Sequence, residues 1–195
     1  MMPAREDSWE GINDLDTLRS CVLECTACEL RRGAKGVVFG EGNPAARILL
    51  VGEGPGRDED LTGRPFVGRA GQLLDSLLKS VGLTRKDVFI ANIVKCRPPG
   101  NRLPFPAEVE KCLPHLRAQI RILKPRIVVL LGALASQTLL DPSIRVTRDR
   151  GKWFEREGVS YLVTFHPAAV LRDEFHKKQV VLEDFRSLQC RWFRA

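Results

Sequence analysis

The sequence predicts an α/β fold, a single domain with a central, mainly parallel four-stranded sheet flanked by helices. Short apolar segments bounded by glycine or proline alternate along the chain with segments in which apolar residues recur every three or four positions. That alternation is typical of parallel strands connected by helices that cover both faces of one sheet. A length of 195 residues, 44% of them hydrophobic, suits one core and one domain over residues 1–195.

The first half of the chain contains two of the predicted strands. Residues 1–14 are polar, and we expect a flexible N-terminal extension there. Apolar residues share one helical face over residues 15–30 and again over residues 70–81, which predicts two helices. Between them, residues 47–51 are apolar and precede a glycine-rich loop, as expected of a buried strand. Residues 87–94 predict the next strand.

The second half begins with an irregular loop. Residues 97–106 are rich in proline, which fixes backbone angles and removes hydrogen-bond donors, so regular structure is excluded. The apolar pattern of residues 107–123 then predicts a helix. The same rules predict a strand over 126–131, a short helix from Ala133, two strands within 152–165 that turn near Gly158, and a closing helix over 180–193.

Composition narrows the class of partner and the compartment. Lys and Arg number 31 against 24 Asp and Glu, and the resulting net charge of +7 suits a polyanion such as nucleic acid. The chain has no run of about 18 apolar residues and no hydrophobic signal segment. We therefore expect a cytoplasmic protein without membrane contact, associated with the nucleoid through DNA. Six cysteines in a reducing compartment favour metal ligation or reactive thiols over disulfides.

Four of the cysteines have the arrangement of a metal site. Cys25 and Cys28 form a C-x-x-C pair on the first predicted helix, Cys96 begins the proline-rich loop, and Cys112 lies on the helix after it. Four thiolates from three elements suit a tetrahedral zinc ion or a 4Fe-4S cluster. Only the first pair is tightly spaced, which favours the cluster over zinc. Buried structural thiols are the third alternative, and spacing does not decide among the three.

The other two cysteines lie outside this set. Cys21, Cys25 and Cys28 have the C-x-x-x-C-x-x-C spacing of radical S-adenosylmethionine enzymes, which is the basis for a rival hypothesis. Those enzymes carry the triplet in a loop after the first strand of a barrel, whereas here the triplet precedes every predicted strand. We therefore interpret the spacing as coincidence. Cys190, in the closing helix, is most simply predicted to be a core residue.

Polar side chains stand at the ends of three predicted strands. Glu53 follows the first strand, Asn92 lies late in the second, and His166 follows the last. Ligands of open parallel sheets bind beyond the carboxyl ends of the strands. The sequence therefore predicts a ligand site built from these three side chains.

The glycine-rich loop belongs to a longer motif. It lacks a following Gly-Lys-Ser/Thr and does not match G-x-G-x-x-G, so nucleotide binding is not predicted. Residues 52–72, Gly-Glu-Gly-Pro-Gly-Arg-Asp-Glu-Asp-Leu-Thr-Gly-Arg-Pro-Phe-Val-Gly-Arg-Ala-Gly-Gln, resemble the first motif of the family 4 (iron-sulfur) uracil-DNA glycosylases. The resemblance continues through residues 91–102, Ala-Asn-Ile-Val-Lys-Cys-Arg-Pro-Pro-Gly-Asn-Arg, and residues 166–172, His-Pro-Ala-Ala-Val-Leu-Arg. It spans nearly the whole chain.

The resemblance implies a DNA-repair activity. Such an enzyme flips uracil out of single- or double-stranded DNA and hydrolyses its N-glycosidic bond, leaving an abasic site for base excision repair. It would be a monofunctional hydrolase, expected to be monomeric, with no bound nucleotide and no catalytic metal. Cys25, Cys28, Cys96 and Cys112 would ligate a structural 4Fe-4S cluster. The alternative is a non-catalytic zinc- or cluster-bearing DNA-binding module, and a contact with a sliding clamp is not readable from the sequence.

The resemblance also implies roles for three side chains around the flipped base. Phe66 would stack on uracil. Asn92 would accept a hydrogen bond from N3-H and donate one to O4, a pattern that cytosine does not match. His166 would donate a hydrogen bond to O2 as negative charge gathers there.

The chain departs from other uracil-DNA glycosylases at two positions of the first motif. They have an aspartate that orients water where this chain has Gly54, which is still expected to line the substrate site. Glu53 is therefore the candidate catalytic carboxylate, with bracing of the loop as its alternative role. They also have a tyrosine that excludes thymine where this chain has Gly56, so Glu59 is the candidate to fill that space.

Contacts with the DNA backbone are expected from both ends of the site. Arg97 and Arg102, on the loop between the last two cluster cysteines, would reach phosphates, as would Arg172. Val170 or Leu171 would wedge into the gap left by the flipped base, or pack in the core instead.

Overall fold

A six-stranded sheet forms the centre of the structure, a computed structural model in which residues 9–193 are described. Its strands are β1 (Glu41–Gly42), β2 (Ile48–Gly52), β3 (Phe89–Asn92), β4 (Ile127–Leu131), β5 (Trp153–Arg156) and β6 (Val159–Thr164). Their order is β1-β3-β2-β4-β6-β5. The four central strands are parallel, and the short edge strands β1 and β5 are antiparallel to their neighbours. The predicted fold class is confirmed, but the sheet has six strands rather than four. The edge strand β5 is one of the two strands predicted within residues 152–165, whereas β1 was not predicted.

Helices cover both faces of this sheet. They are α1 (Leu15–Leu23), α2 (Leu30–Gly33), α3 (Arg57–Thr62), α4 (Arg69–Ser80), α5 (Pro106–Leu123), α6 (Ala133–Leu139), α7 (Val146–Asp149), α8 (Pro167–Leu171) and α9 (Glu174–Trp192). Helices α4, α5 and α6 match the predicted positions, whereas α9 begins at Glu174, before the predicted start at Val180. The short helices α3, α7 and α8 were not predicted. Within the proline-rich loop, only residues Pro99–Asn101 form a 3-10 turn.

The first helix is shorter than predicted. It ends at Leu23, and Cys25 and Cys28 lie in the loop between α1 and α2 rather than on a helix. The prediction of one continuous helix over residues 15–30 was therefore wrong. Tertiary packing outweighs helical propensity here, because the chain turns to bring both thiols to a cavity that Cys96 and Cys112 also line.

The side chains of the sheet divide into two buried layers, because successive residues of a strand point to opposite faces. On one face, Leu49 and Val51 of β2 pack with residues of α1 and α5. On the other face, Ile48 and Leu50 pack with residues of α4 and α9. The prediction that Cys190 is a core residue was wrong, because α9 turns this thiol toward solvent.

The segment before α1 packs against α5. Trp9 contacts the His115 ring edge to face at 5.0 Å, and Arg121 donates hydrogen bonds to the carbonyls of Trp9 and Ile12. Residues 1–8 of the extension predicted over residues 1–14 lie outside the described residues. Among the helices of residues 9–193, none has the length and apolar character needed to cross a membrane.

The carboxyl ends of the parallel strands lie at one edge of the sheet. Gly52 and Asn92 are register partners at the ends of β2 and β3, and Leu131 and Thr164 are partners at the ends of β4 and β6. The loops that carry the predicted site residues therefore begin side by side.

Candidate active site

A cavity of about 350 Å³ opens at the carboxyl ends of β2, β3 and β6. Its volume lies in the range of small-molecule sites, roughly 300–1,000 Å³. The predicted residues that it brings together are Glu53, Gly54, Glu59, Phe66, Asn92, Arg102, His166 and Arg172. A larger concavity of about 650 Å³, lined in part by Trp153 and Cys190, lies elsewhere, and none of the described residues lining it was predicted to be functional.

His166 is held in one orientation at the beginning of α8. It is the N-cap of that helix, and its Nδ1 accepts a hydrogen bond from the backbone N-H of Ala168 at 3.1 Å. Although part of the residue is accessible through the cavity, desolvation of the ring lowers the pKa of His166 to about 4. The imidazole is therefore neutral near pH 7, and the bond from Ala168 assigns its proton to Nε2. Gly132 makes room for the ring, since a Cβ there would lie 3.0 Å from the His166 Cβ.

Asn92 presents a buried amide to the cavity. The residue ends β3 and is 2% exposed. No described residue donates a hydrogen bond to its Oδ1. Buried polar atoms are nearly always paired in folded proteins, so this oxygen is suited to a donor on a ligand. A Cβ on Gly52 would lie 2.5 Å from Asn92 Oδ1 and 2.6 Å from Phe66 Cζ, so only glycine fits beneath both side chains.

Phe66 forms an apolar wall of the same cavity. Its ring centroid lies 5.6 Å from that of His166, and the two planes meet at 30°. The backbone of Phe66 has a φ of +52°, which is unfavourable for a bulky side chain. Arg85 holds this conformation by donating hydrogen bonds to the carbonyls of Pro65 and Phe66. The wall is thus fixed before any ligand arrives.

Two glutamates of the first motif have different surroundings. Glu59 accepts hydrogen bonds from the backbone N-H groups of Gly56, Val67 and Gly68 at 2.8–3.1 Å, and so joins the two halves of the loop. Glu53 lines the cavity, and no described residue donates a hydrogen bond to its carboxylate. Burial raises the pKa of Glu53 above its usual range, and the charge of Arg172 opposes this shift. The bracing role considered for Glu53 is performed by Glu59.

Gly54 leaves no space for a side chain. A Cβ at this position would lie 2.7 Å from Cγ2 of Val94. An aspartate at residue 54 would therefore require Val94 to move. Close packing therefore favours glycine at residue 54.

The residues predicted to contact DNA are not equally placed. Arg172 is exposed at the rim of the cavity, and Leu171 is half-buried. Val170 is 1% exposed and packs in the core below α8, so the structure does not support Val170 as a wedge. Arg97 donates a hydrogen bond to Asn101 Oδ1 at 2.7 Å. The Arg102 guanidinium forms an ion pair with the carboxylate of Glu108 in the first turn of α5.

The four predicted cluster cysteines line one cavity on the other side of the proline-rich loop. Cys25, Cys28, Cys96 and Cys112 come together there from three segments of the chain. Burial raises the pKa of Cys96 and of Cys112 to about 12. A set of four thiols suits zinc or an iron-sulfur cluster, because either metal stabilises the thiolate. In residues 9–193, no three His, Cys, Asp or Glu side chains already stand close enough to hold a single metal ion.

Lys95 connects the two cavities and was not predicted from the sequence. The residue is 1% exposed, and its Nζ donates to the Asn92 carbonyl at 3.0 Å and to Gln119 Oε1 at 2.6 Å. Its backbone N-H donates to Cys112 Sγ at 3.2 Å. Burial lowers the pKa of Lys95 to about 8, and the Cys112 thiolate opposes that shift. The sequence signal that could have indicated this contact is the position of Lys95, directly between the apolar strand end and Cys96.

Comparison with known proteins places the chain in a family. The model of the uracil DNA glycosylase superfamily matches residues 39–188, and the chain therefore belongs to that superfamily. A type-4 uracil-DNA glycosylase of Thermotoga maritima is 48% identical over 166 residues, covering 84% of this chain and 86% of that protein. A type-4 relative from Archaeoglobus fulgidus is 44% identical over 168 residues, and one from Sulfurisphaera tokodaii is 38% identical over 187 residues. The match to the Archaeoglobus protein covers 82% of this chain and 84% of that protein. The match to the Sulfurisphaera protein covers 91% of this chain and 84% of that protein. Within the superfamily, these relatives confirm the resemblance to family 4.

Proposed function

We propose that the chain excises uracil from DNA by binding the flipped base in the cavity between Asn92, Phe66 and His166. The observation that carries this proposal is the buried Asn92 Oδ1, which has no donor among the described residues. Uracil N3-H supplies that donor, and the Asn92 amide N-H groups donate to O4. Cytosine has an acceptor at N3 and an amino group at position 4, so it leaves the same amide unpaired.

His166 stabilises the departing base. As the bond between C1′ and N1 breaks, its electron pair leaves with uracil, and negative charge gathers on O2 while positive charge builds on the sugar. The neutral imidazole donates a hydrogen bond from Nε2-H toward that oxygen. Because the hydrogen bond from Ala168 already fixes the ring, no reorganisation is needed during the reaction.

Glu53 orients the attacking water and accepts its proton. Its carboxylate accepts a hydrogen bond from the water and takes up a proton as the bond between the water oxygen and C1′ forms. The raised pKa of Glu53 makes it a better proton acceptor than an ordinary surface glutamate. Glu59 holds the loop that carries Glu53 and narrows the same side of the cavity, where it would exclude the methyl group of thymine.

Cys25, Cys28, Cys96 and Cys112 are proposed to hold a 4Fe-4S cluster. When bound, the cluster cross-links the loop after α1, the proline-rich loop and α5, and so holds the rim of the uracil cavity. The donor set supports this assignment, and zinc is the alternative that it also admits. Purified protein is expected to be brown and to contain about four iron atoms per chain. One zinc and no iron would contradict the cluster, and iron retained in Cys21→Ala would count against the radical enzyme.

An excision assay tests the function directly. Labelled single- and double-stranded oligonucleotides that contain one uracil are incubated with the protein and then treated with alkali, beside matched cytosine and thymine substrates. We expect breaks only at uracil. Binding to DNA without any break would contradict excision and favour the non-catalytic DNA-binding module. Action as a cytoplasmic monomer on both forms of DNA stays a prediction from the sequence.

A further inference from the structure

Two large apolar side chains are exposed on the proline-rich loop. Leu103 is 64% exposed and Phe105 is 58% exposed, and only one residue separates them. The same loop borders the uracil cavity, which Arg102 and Asn101 help to line. An exposed aromatic ring beside a binding cavity indicates a contact surface rather than part of the core.

The loop is held in shape without a partner. Arg102 forms two hydrogen bonds to the buried Glu108 carboxylate, at 2.8 and 2.7 Å, and one to the Leu103 carbonyl at 2.8 Å. Glu108 also accepts from the Phe105 backbone N-H at 2.7 Å. A ligand that contacts this loop therefore meets a surface that needs little further ordering.

The Arg102 guanidinium packs on the Phe105 ring and is paired with a carboxylate, so it is less suited to binding a phosphate. Its guanidinium carbon lies 3.8 Å from the centroid of the Phe105 ring, and Glu108 neutralises its charge. The guanidinium covers one face of the ring, while more than half of the Phe105 surface stays open to solvent. A rigid, half-covered ring of this kind is suited to stacking on a planar group.

We propose that Phe105, supported by Leu103, forms a stacking platform for the nucleobase next to the extruded uracil on the same strand. The inference rests on the proposed function, because the uracil in the cavity brings its neighbour to the rim. A nucleobase fits better than a phosphate, since the exposed surface is apolar and the nearest cation is paired. The platform would make uracil in unpaired DNA the better-bound substrate.

Binding to single-stranded DNA tests the platform. The oligonucleotide carries 2′-fluoro-2′-deoxyuridine, which resists excision, with 2-aminopurine on one side of it. Phe105→Ala is expected to weaken binding roughly tenfold to a hundredfold and to remove the quenching of 2-aminopurine fluorescence, whereas Phe105→Trp restores both. The matched control is Phe175→Ala, because Phe175 on α9 is 91% exposed and lies outside the cavity lining.

A second oligonucleotide separates stacking from a general loss of structure. An abasic spacer replaces the neighbouring base, first on the 5′ side and then on the 3′ side. On one side, the spacer should weaken binding by the wild-type protein but not by Phe105→Ala, since the contact is already absent in the variant. Equal weakening of both proteins by both spacers would overturn the platform. Uracil excision by the wild-type chain is measured beside it, so failure of the platform and failure of the proposed function are distinguishable.

Discussion

The uracil cavity and the four-cysteine cavity lie at the two ends of one short segment, residues 92–96, and they differ in what they need to be complete. In the uracil cavity, one backbone hydrogen bond already orients the His166 ring and close packing positions Asn92. In the cysteine cavity, burial raises the pKa of Cys96 and Cys112 to about 12 and lowers that of His115 to about 4. The uracil cavity is organised by the polypeptide, whereas the cysteine cavity gathers thiols whose metal-binding thiolate form is disfavoured by burial.

This difference indicates that base recognition and structural support are carried out by separate sites in this fold. A neutral, preformed cavity is suited to a neutral base that acquires charge only as it departs. A set of buried thiols is suited to a cation that replaces their protons. Lys95 contacts both sites, because its backbone N-H donates to Cys112 Sγ and its Nζ donates to the Asn92 carbonyl. Variants should therefore separate the two tasks.

The largest effect is expected for His166→Ala. Loss of the Nε2-H donor should reduce the rate of excision roughly a hundredfold to a thousandfold, as for removal of one oxyanion donor. Iron content should stay unchanged, because His166 does not line the cysteine cavity, and DNA affinity should persist through the contacts outside the base. Single-turnover excision, a binding titration and metal analysis measure the three quantities. Wild-type excision by the variant would remove His166 from the mechanism.

Substitution of a cysteine in the four-cysteine cavity should instead change the iron content and the stability of the protein. Cys96→Ala is expected to lose its iron and about 3 kcal/mol or more of unfolding free energy, because a structural metal site is broken. Cys190→Ala is the matched control, since that thiol is exposed on α9. Metal analysis and thermal unfolding separate the two variants. Equal iron content in both would contradict the assigned ligand set.

The residues that could be predicted from the sequence are those whose placement depends on local rules. Helix α4 follows from its apolar periodicity, and the meeting of Glu53, Asn92 and His166 follows from the common edge of parallel strands. The spacing of Cys25, Cys28, Cys96 and Cys112 predicted a metal site, but only the resemblance decided for a 4Fe-4S cluster over zinc.

The residues that were missed or misplaced depend on tertiary contacts. Val170 and Leu171 are adjacent and apolar, and only the packing of α8 shows that Val170 is buried. Glu53 and Glu59 are both acidic residues of the first motif. Only the hydrogen bonds to Glu59 show that it braces the loop and leave Glu53 as the candidate general base. The contacts of Lys95 join residues 24 positions apart, which no local pattern encodes.

A smaller effect is expected where the two cavities are joined. Lys95→Met keeps the apolar stem and removes the donors to the Asn92 carbonyl and Gln119 Oε1. Leaving buried acceptors unpaired costs about 1–3 kcal/mol, which should lower the unfolding midpoint by roughly 2–12 °C. Displacement of Asn92 should also slow excision while DNA affinity is kept. An unchanged midpoint together with unchanged excision would show that the two cavities are independent.

The smallest effect is expected in the pH dependence. The pKa of Glu53 is raised by burial, and a carboxylate that accepts a proton is active only above its pKa. Excision should therefore fall on the acid side at a higher pH than an ordinary glutamate would give. In Glu53→Gln the maximal rate should drop, and the remaining acid limb should move toward about pH 4, where His166 becomes protonated. An acid limb that is identical in both proteins would assign it to another group.

The most direct test is a crystal structure of the protein with an oligonucleotide that carries 2′-fluoro-2′-deoxyuridine. The predicted result is uracil in the cavity, with N3 within about 2.7–3.2 Å of Asn92 Oδ1 and with O2 facing His166 Nε2. Uracil still stacked in the DNA, or bound with N3 turned away from Asn92, would contradict the account.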